Sequence, residues 1–392
     1  MRWFIVATIS GMSVMLQSPD RPRARDLGIA PGALTPGPLN AITDVDGVRV
    51  GHVTIVEGDN VRTGVTAVLP HGGNLFQDKV AGAVFVGNAF GKLAGSTQVQ
   101  ELGTIESPIV LTNTLSVGTA LDAVVRWTTS QPGNENVRSV NAVVGETNDG
   151  GLNDIRGQHV TREHVTAAIA AAKSGAVDEG AVGAGTGTIA FGWKGGIGTS
   201  SRTVPRGGGG GVWTVGVLVQ SNYGGKLVID GVPIWKELTP QRGSVPPKGG
   251  SYEGDLRGFH LQAEESADGS CMIVIATDAP LDPRNLERLA ARAIFAMART
   301  GSTYSNGSGD FAIAFSTHAS QRVGGGAAPQ SRVALPTDGV SGLFEAVLDA
   351  TEEALDNSLL KAVDVTGGGR TVRAIPIDPL RALLKRYGRG AP

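Results

Sequence analysis

An unbroken apolar run, Cys271-Met272-Ile273-Val274-Ile275-Ala276, closed by Thr277, reads as a buried strand. Immediately before it stands the small, flexible pair Gly269-Ser270. Before that, Glu237–Gly269 is dominated by Pro, Gly, Ser and charged residues. A structureless segment of about 30 residues within a compact domain is unusual and is commonly functional or disordered. Breaking the Gly269–Ser270 bond would leave Ser270 as a chain terminus at the mouth of a rigid element. The residue would then carry both a hydroxyl nucleophile and a free amine to act as its base. A terminal α-amine has a reference pKa near 7.7–8, so about a tenth of it is neutral at pH 7.

Six Gly-Ser pairs occur, so the dipeptide alone decides nothing. A nucleophile must be held by an element that cannot move. Ser244 and Ser251 fall in the pattern-poor linker, Ser302 in a loop, and Ser96 at the start of a polar stretch. Ser270 and Ser308 open onto apolar strands, and Ser270 alone follows a long cleavable segment. The six histidines (His52, His71, His159, His164, His260 and His318) offer neither a G-x-S-x-G elbow nor a paired metal spacing. They read as surface or hydrogen-bonded structural residues.

With 392 residues, 41% of them hydrophobic, the chain can bury a substantial core. Its net charge of −2 gives no electrostatic case for nucleic acid or an acidic membrane. The 58 glycines have no fixed period, which excludes collagen and points to tight turns and close backbone approaches. Cys271 is the single cysteine, so an intrachain disulfide and a cysteine zinc site are excluded. Residues 1–22 read as a short secretory leader, one positive charge ahead of an apolar centre, or as a disordered extension. The first reading implies a periplasmic or secreted protein and the second a cytoplasmic one. No segment is long and apolar enough to span a membrane.

Strands are expected at Gly47–Val56, Gly64–Leu69, Gly82–Val86, Pro108–Leu111, Val140–Gly145, Ile189–Trp193, Val212–Gln220, Phe311–Phe315 and Val372–Ile377. Helices are expected from Asn113 through Trp127, over Thr161–Lys173, after an Asp282 cap with Pro283 in the first turn, and last over Leu343–Ala362. Asp230-Gly231 reads as a hairpin turn, and Gly207–Gly211 as a mobile loop. Gly183–Thr188 carries a G-x-G-x-G pattern, but a helix precedes it and a strand follows. That order is wrong for dinucleotide binding and fits a backbone turn. Strands and helices mix without regular βαβ alternation, so the fold class is α+β, with antiparallel or mixed sheets covered by helices. Asp149 and Asn153 read as turn residues.

Specific Gly/Ser/Thr strings from about Arg23 onward resemble the L-aminopeptidase/D-esterase (DmpA-like) family, which includes the β-peptidyl aminopeptidases. They include "LTNTLSVGTALDAVVRW", "GAGTGTIAFGWKGGIGTSSR", "VGVLVQSNYG", "DGSCMIVIATDAPL" and "RTGSTYSNGSGDFAIAFST". The resemblance implies a four-layer αββα sandwich, like that of N-terminal-nucleophile hydrolases but with different connectivity. It implies one catalytic domain, 23–392, made as a precursor that cuts itself into an α chain, 23–269, and a β chain, 270–392. Gly269 and Ser270 would flank the cut, with Ser270 as nucleophile. Ser308 and Asp310 match the positions that orient and polarise it, Asp310 being one methylene shorter than the Glu of some relatives. Asn222 matches the oxyanion-stabilising amide, and Glu146 the carboxylate that binds the substrate's free amine. Asn148 stands where relatives often have Tyr, which leaves the acyl pocket and the substrate preference open. The implied activity is release of N-terminal residues from short peptides, amides or esters, with no metal or cofactor, by a homotetramer.

Two alternatives stand beside this reading. Acyl transfer by a protein of ornithine acetyltransferase type would also involve self-cleavage, but with a threonine nucleophile, against Ser270. A Gly-rich binding protein without chemistry would stay uncut.

Overall fold

The computed structural model describes residues 21–240, 269–326 and 328–390. The expected leader through Leu16 and nearly all of the expected linker lie outside the described residues.

Two mixed sheets form the centre. The first contains β1 (Arg49–Glu57), β2 (Val61–Leu69), β4 (Leu93–Ala94), β6 (Ile109–Asn113) and β7 (Val143–Thr147), in the order β1-β2-β6-β7-β4. The second contains β3 (Asp78–Ala89), β10 (Gly196–Pro205), β11 (Val212–Asn222), β12 (Ser270–Thr277), β13 (Gly309–Ser316) and β14 (Val323–Gly324). Its order is β10-β11-β12-β13-β3-β14, with β5 (Thr104–Ile105) also paired to β3. β8 (Ile189–Ala190) and β9 (Trp193–Lys194) form a small separate hairpin.

The strand β12 shows why the layers stack as they do. Cys271, Ile273 and Ile275 pack toward the helices α5 (Pro283–Arg299) and α6 (Ser341–Leu360). Met272, Val274 and Ala276 pack toward the first sheet, among Ile109, Leu111 and Val143. A strand buried on both faces needs no polar alternation, hence its continuous apolar run. The outer face of the first sheet is covered by α2 (Val117–Thr129) and α3 (Arg162–Ala170), through Val124, Val165 and Ile169. The result is the expected α+β sandwich with four layers, helices–sheet–sheet–helices.

Local chemistry sets several boundaries. The Asp282 side chain accepts a hydrogen bond from Asn285 N–H at 2.8 Å, and Pro283 occupies the first turn of α5. Asp230 and Gly231 take φ of 49° and 75°, the left-handed pair of a tight reversal between Ile229 and Val232. Gly207–Gly211 makes an exposed turn between β10 and β11.

Three expectations are corrected. Ile189–Trp193 is not one strand: Phe191 and Gly192 have φ of 53° and 79° and fold it into the β8–β9 hairpin. Val372–Ile377 is not a strand either. A short β16 (Arg370–Val372), paired with β15 (Val365–Gly367), ends there, and Ile377 opens α7 (Ile377–Arg386). The last helix is therefore α7, which buries Leu380, Leu383 and Leu384. Among the elements not anticipated are the two-turn α1 (Ser96–Leu102) and the long strand β10. The latter is rich in Gly, Ser and Thr because α6 lies directly upon it; a Cβ at Gly198 would fall 1.9 Å from Ala354 O.

Candidate active site

Ser270 is the first residue of β12, at one end of the gap between the two sheets. In the antiparallel register β11–β12 it stands opposite Asn222, and directly paired side chains share a face. In the parallel register β12–β13 it stands beside Gly309. The fold thus brings together Ser270 and Asn222, the residues that the resemblance matches to nucleophile and oxyanion-stabilising amide. Among the described residues Ser270 Oγ makes no hydrogen bond. The side-chain oxygen of Asn222 accepts from Ile189 N–H at 2.8 Å, which turns the amide's NH₂ end away from that contact.

The bond expected to break has its own surroundings. The Gly269 carbonyl accepts a hydrogen bond from Gly309 N–H at 3.1 Å. A Cβ on Gly269 would lie 2.6 Å from Tyr223 Cα and 2.9 Å from Asn222 O, so only glycine fits that position unshifted. Gly309 is held as tightly, since its Cβ would meet Gly91 Cα at 2.7 Å.

Ser308 and Asp310 form one unit. Ser308 Oγ donates to Asp310 Oδ1 at 2.8 Å, while Asp310 Oδ2 is buried without a partner. Burial raises the Asp310 carboxyl to about 6; the Ser308 hydroxyl and Cys271 N–H pull it the other way. Cys271 is Asp310's neighbour in the β12–β13 register, so the carboxyl lies one residue from Ser270.

Glu146 comes from the other sheet, near the end of β7, and is almost fully buried. Its Oε1 accepts Lys92 N–H at 3.0 Å, its Oε2 accepts the Thr114 hydroxyl, and Lys92 Nζ stands 4.0 Å away. Burial raises its pKa, against these partners. Gly91 links it to β13, the strand beside Ser270. The position a Cβ of Gly91 would occupy is 3.0 Å from Gly309 Cα and 3.4 Å from Glu146 Oε1. The site is therefore built from both sheets at one end of the sandwich.

Asn148 is exposed, and its side-chain oxygen accepts Gly150 N–H at 2.9 Å, an Asx turn. Asp149 and Asn153, expected as turn residues, close a turn in which Leu152 and Asn153 N–H donate to Asp149 O at 3.0 Å, and both are buried there. Asn153 Nδ2 donates to Asp149 Oδ1 at 2.9 Å, and Arg62 N–H donates to Asn153 Oδ1 at 3.1 Å. Burial lifts the Asp149 carboxyl to about 6. Beside them Gln220 Nε2 donates to Thr112 O, Thr147 Oγ1 and Ala184 O, stitching one sheet to the other. Gly309, Gly91 and Thr114 were also missed as site residues, although the quoted strings "NGSGD" and "LTNTLSVGT" contain Gly309 and Thr114. Five of the six histidines are described, and each is hydrogen-bonded locally: His52 faces Thr66, His71 meets Asp78 O, His159 meets Asp154, His164 caps α3 at Thr161 and His318 caps its own turn, while His260 lies outside the described residues. Among the described residues no cluster of three or more His, Cys, Asp or Glu could hold a metal ion.

Ser270, Asn222 and Glu146 thus stand together at one end of an α+β sandwich of four layers, and the chain is a hydrolase of the serine aminopeptidase class. The profile of peptidase family S58 matches residues 40–372, and the chain belongs to that family. It is 44% identical to the β-peptidyl aminopeptidase BapA of Sphingosinicella microcystinivorans, over 98% of this chain and 97% of that protein. The structure of L-aminopeptidase D-Ala-esterase/amidase from Ochrobactrum anthropi, described as a prototype of the serine aminopeptidases and a variant of the N-terminal-nucleophile hydrolase fold, superposes with a TM-score of 0.83. Sequence identity is 38%, with 95% of this chain and all of that one covered. A β-aminopeptidase from a Burkholderia species gives a TM-score of 0.81 at 40% identity, covering 94% of this chain and 99% of that one.

Proposed function

We propose that this serine aminopeptidase matures by cutting its own Gly269–Ser270 bond and then releases N-terminal residues, β-amino acids among them, from short peptides, amides or esters. The observation that carries the reading is the Gly309 N–H···O=C Gly269 hydrogen bond immediately before a serine paired with Asn222. A donor aimed at a carbonyl oxygen stabilises the charge that develops there when the carbon is attacked.

In the cut, Ser270 Oγ adds to the Gly269 carbonyl carbon and the C–N bond to Ser270 breaks. The hydroxyl proton ends on the freed amine. Water then hydrolyses the resulting ester, leaving a Gly269 carboxylate and an N-terminal Ser270. In turnover that amine, as neutral base, takes the Oγ proton while Oγ attacks the substrate carbonyl. Asn222 Nδ2 faces the oxyanion, the leaving group takes the proton, and water resolves the acyl-enzyme. Glu146 receives the substrate's ammonium, which restricts the reaction to chain ends. The β-amino preference is supported by the chain's similarity to a β-peptidyl aminopeptidase and a β-aminopeptidase. Assembly of the two-chain units into a tetramer, and export by the N-terminal segment, belong to the same proposal.

The test is the intact mass of the purified protein under denaturing conditions, with Ser270→Ala beside it. Two fragments meeting between Gly269 and Ser270, absent from the variant, are expected. A wild-type chain that hydrolyses substrate while uncut would remove the amine base and the mechanism with it.

A further inference from the structure

The sequence motif read as a backbone turn, Gly183–Thr188, leads into a segment that meets Asn222 and, through Phe191 N–H to Tyr223 O at 2.7 Å, the residue after it. Ile189 N–H holds Asn222 Oδ1. The segment's other end is Lys194, the cross-strand partner of Ile189 in the β8–β9 hairpin. Lys194 is fully buried. Its Nζ donates to Gly185 O and to Gly195 O, both at 2.8 Å, so one amine ties together the two ends of residues 185–195. Thr188 Oγ1 reaches the same Gly185 oxygen at 3.0 Å, and Gly195 N–H meets Thr188 O at 3.1 Å. Gly195 leads directly into Gly196, whose register partner is Ser221, the residue before Asn222. No carboxylate lies within ion-pair distance of Nζ among the described residues. Burial pushes the amine down to about 7, with the Asp149 carboxylate acting the other way.

Burying an amine against carbonyl oxygens alone is a costly way to fill space, because desolvation disfavours the charged form. A methionine would fill a similar volume, but it would leave the Gly185 and Gly195 carbonyls without this donor. What the lysine adds is a fixed segment geometry, and the segment's contact with the reacting groups is the Ile189 N–H.

We propose that Lys194 is a positioning residue for acyl transfer: by clamping Gly185 to Gly195 it holds Ile189 N–H against Asn222 and so aims the Asn222 NH₂ at the acyl oxygen. This rests on the oxyanion role of Asn222 proposed above. The consequence is selective. An oxyanion donor acts on the transition state more than on bound substrate, so loosening it lowers kcat and leaves KM nearly unchanged.

The experiment compares Lys194→Met, Lys194→Gln and Asn222→Ala in the full-length protein. Each is assayed for self-cleavage by intact mass, for turnover of β-alanine p-nitroanilide, and for thermal unfolding. Lys194→Met is expected to lower kcat about ten- to hundredfold with KM changed less than threefold. Lys194→Gln, which keeps an N–H donor, is expected to recover at least a third of the lost rate on a logarithmic scale. Full activity of Lys194→Met, a loss confined to KM, or no recovery with Gln would overturn the inference. Failure of both Lys194 variants to accumulate as folded protein would also overturn it, since the lysine would then be a folding element. Asn222→Ala reports separately on the reading beneath. If it loses no rate, the oxyanion assignment fails; if it alone is slow, only the lysine inference fails.

Discussion

The amide of Gly309 donates to the carbonyl of Gly269 across 3.1 Å, and the next residue in the chain is Ser270. A donor is thus in place at the bond proposed to break, before any cleavage has occurred. Both glycines are forced by close approach, Gly269 against Tyr223 and Gly309 against Gly91.

Gly269→Ala tests that arrangement. Its methyl group would have to move away from Tyr223 Cα, carrying the carbonyl off the Gly309 donor. Losing one oxyanion donor costs about 10²–10³ in rate. A partial displacement is therefore expected to slow self-cleavage at least tenfold, read as the fraction of uncut chain over time. Cleavage at the wild-type rate would mean that the Gly309 contact plays no part.

The pH dependence should differ between self-cleavage and turnover. Asp310 titrates at about 6 in the uncut chain, and the Ser308 hydroxyl donates to its ionised form. Self-cleavage is expected to fall as pH drops through about 6. After the cut, the Ser270 amine must be neutral to act as base, and its reference pKa near 7.7–8 should place the acid limb of kcat/KM higher than that of self-cleavage. The stability effect runs oppositely. A folded pKa raised above its unfolded value means the native state binds more protons between about 4 and 6, so stability falls as pH rises through that window. Asp310→Asn should then be slow at every pH, without the limb near 6, yet more stable at pH 7 by up to ~2 kcal/mol. Coincident acid limbs for the two reactions in the wild type would contradict this account.

How far the site could be read from sequence depends on where its partners come from. Ser270 stood out because a strand buried on both faces leaves a continuous apolar signature, and Asp282-Pro283 and Asp230-Gly231 carry their local chemistry in two residues. The strand β10 was hidden because its glycine and hydroxyl residues answer to α6, whose Ala354 lies 156 positions beyond Gly198 in the chain. Asp149 and Asn153 looked like turn residues because their burial depends on β2 and β6 of the first sheet, through Arg62, Thr63 and Asn113, which no local pattern encodes. The start of α7 was read as a strand because Ile375 and Ile377 flank a proline, and a second proline, Pro379, falls in its first turn.

Glu146→Gln addresses substrate recognition. The carboxylate is held by Lys92 N–H and the Thr114 hydroxyl, so the amide variant keeps the shape and loses the charge. A charge-assisted hydrogen bond contributes about 1.5–3 kcal/mol. For substrates with a free amine, kcat/KM is expected to fall roughly ten- to hundredfold. Self-cleavage, which presents no ammonium to Glu146, should proceed within about threefold of wild type. An equal loss in both reactions would assign Glu146 to the framework of the site.

The two chains left by the cut must stay together, and one buried ion pair bridges them. Arg202 of the proposed α chain and Glu353 of the proposed β chain are both without exposed side-chain surface, and Nη2 lies 2.6 Å from Oε2. Arg202 also donates to Pro31 O at 2.9 Å and Ser201 O at 2.8 Å, while Glu353 Oε1 accepts from Arg25 at 3.0 Å. The pair thus fastens the N-terminal arm, β10 and α6 at one point. Removing one partner leaves the other charge buried and uncompensated, which costs about 3–5 kcal/mol, whereas replacing both with apolar residues costs far less. Glu353→Ala is expected to shift the urea midpoint down accordingly and to release the two chains from one another at lower denaturant. Arg202→Met with Glu353→Leu should restore much of that loss, although Arg25 still loses its partner. Chains that separate no more readily in Glu353→Ala than in wild type would place their attachment in the apolar layers alone.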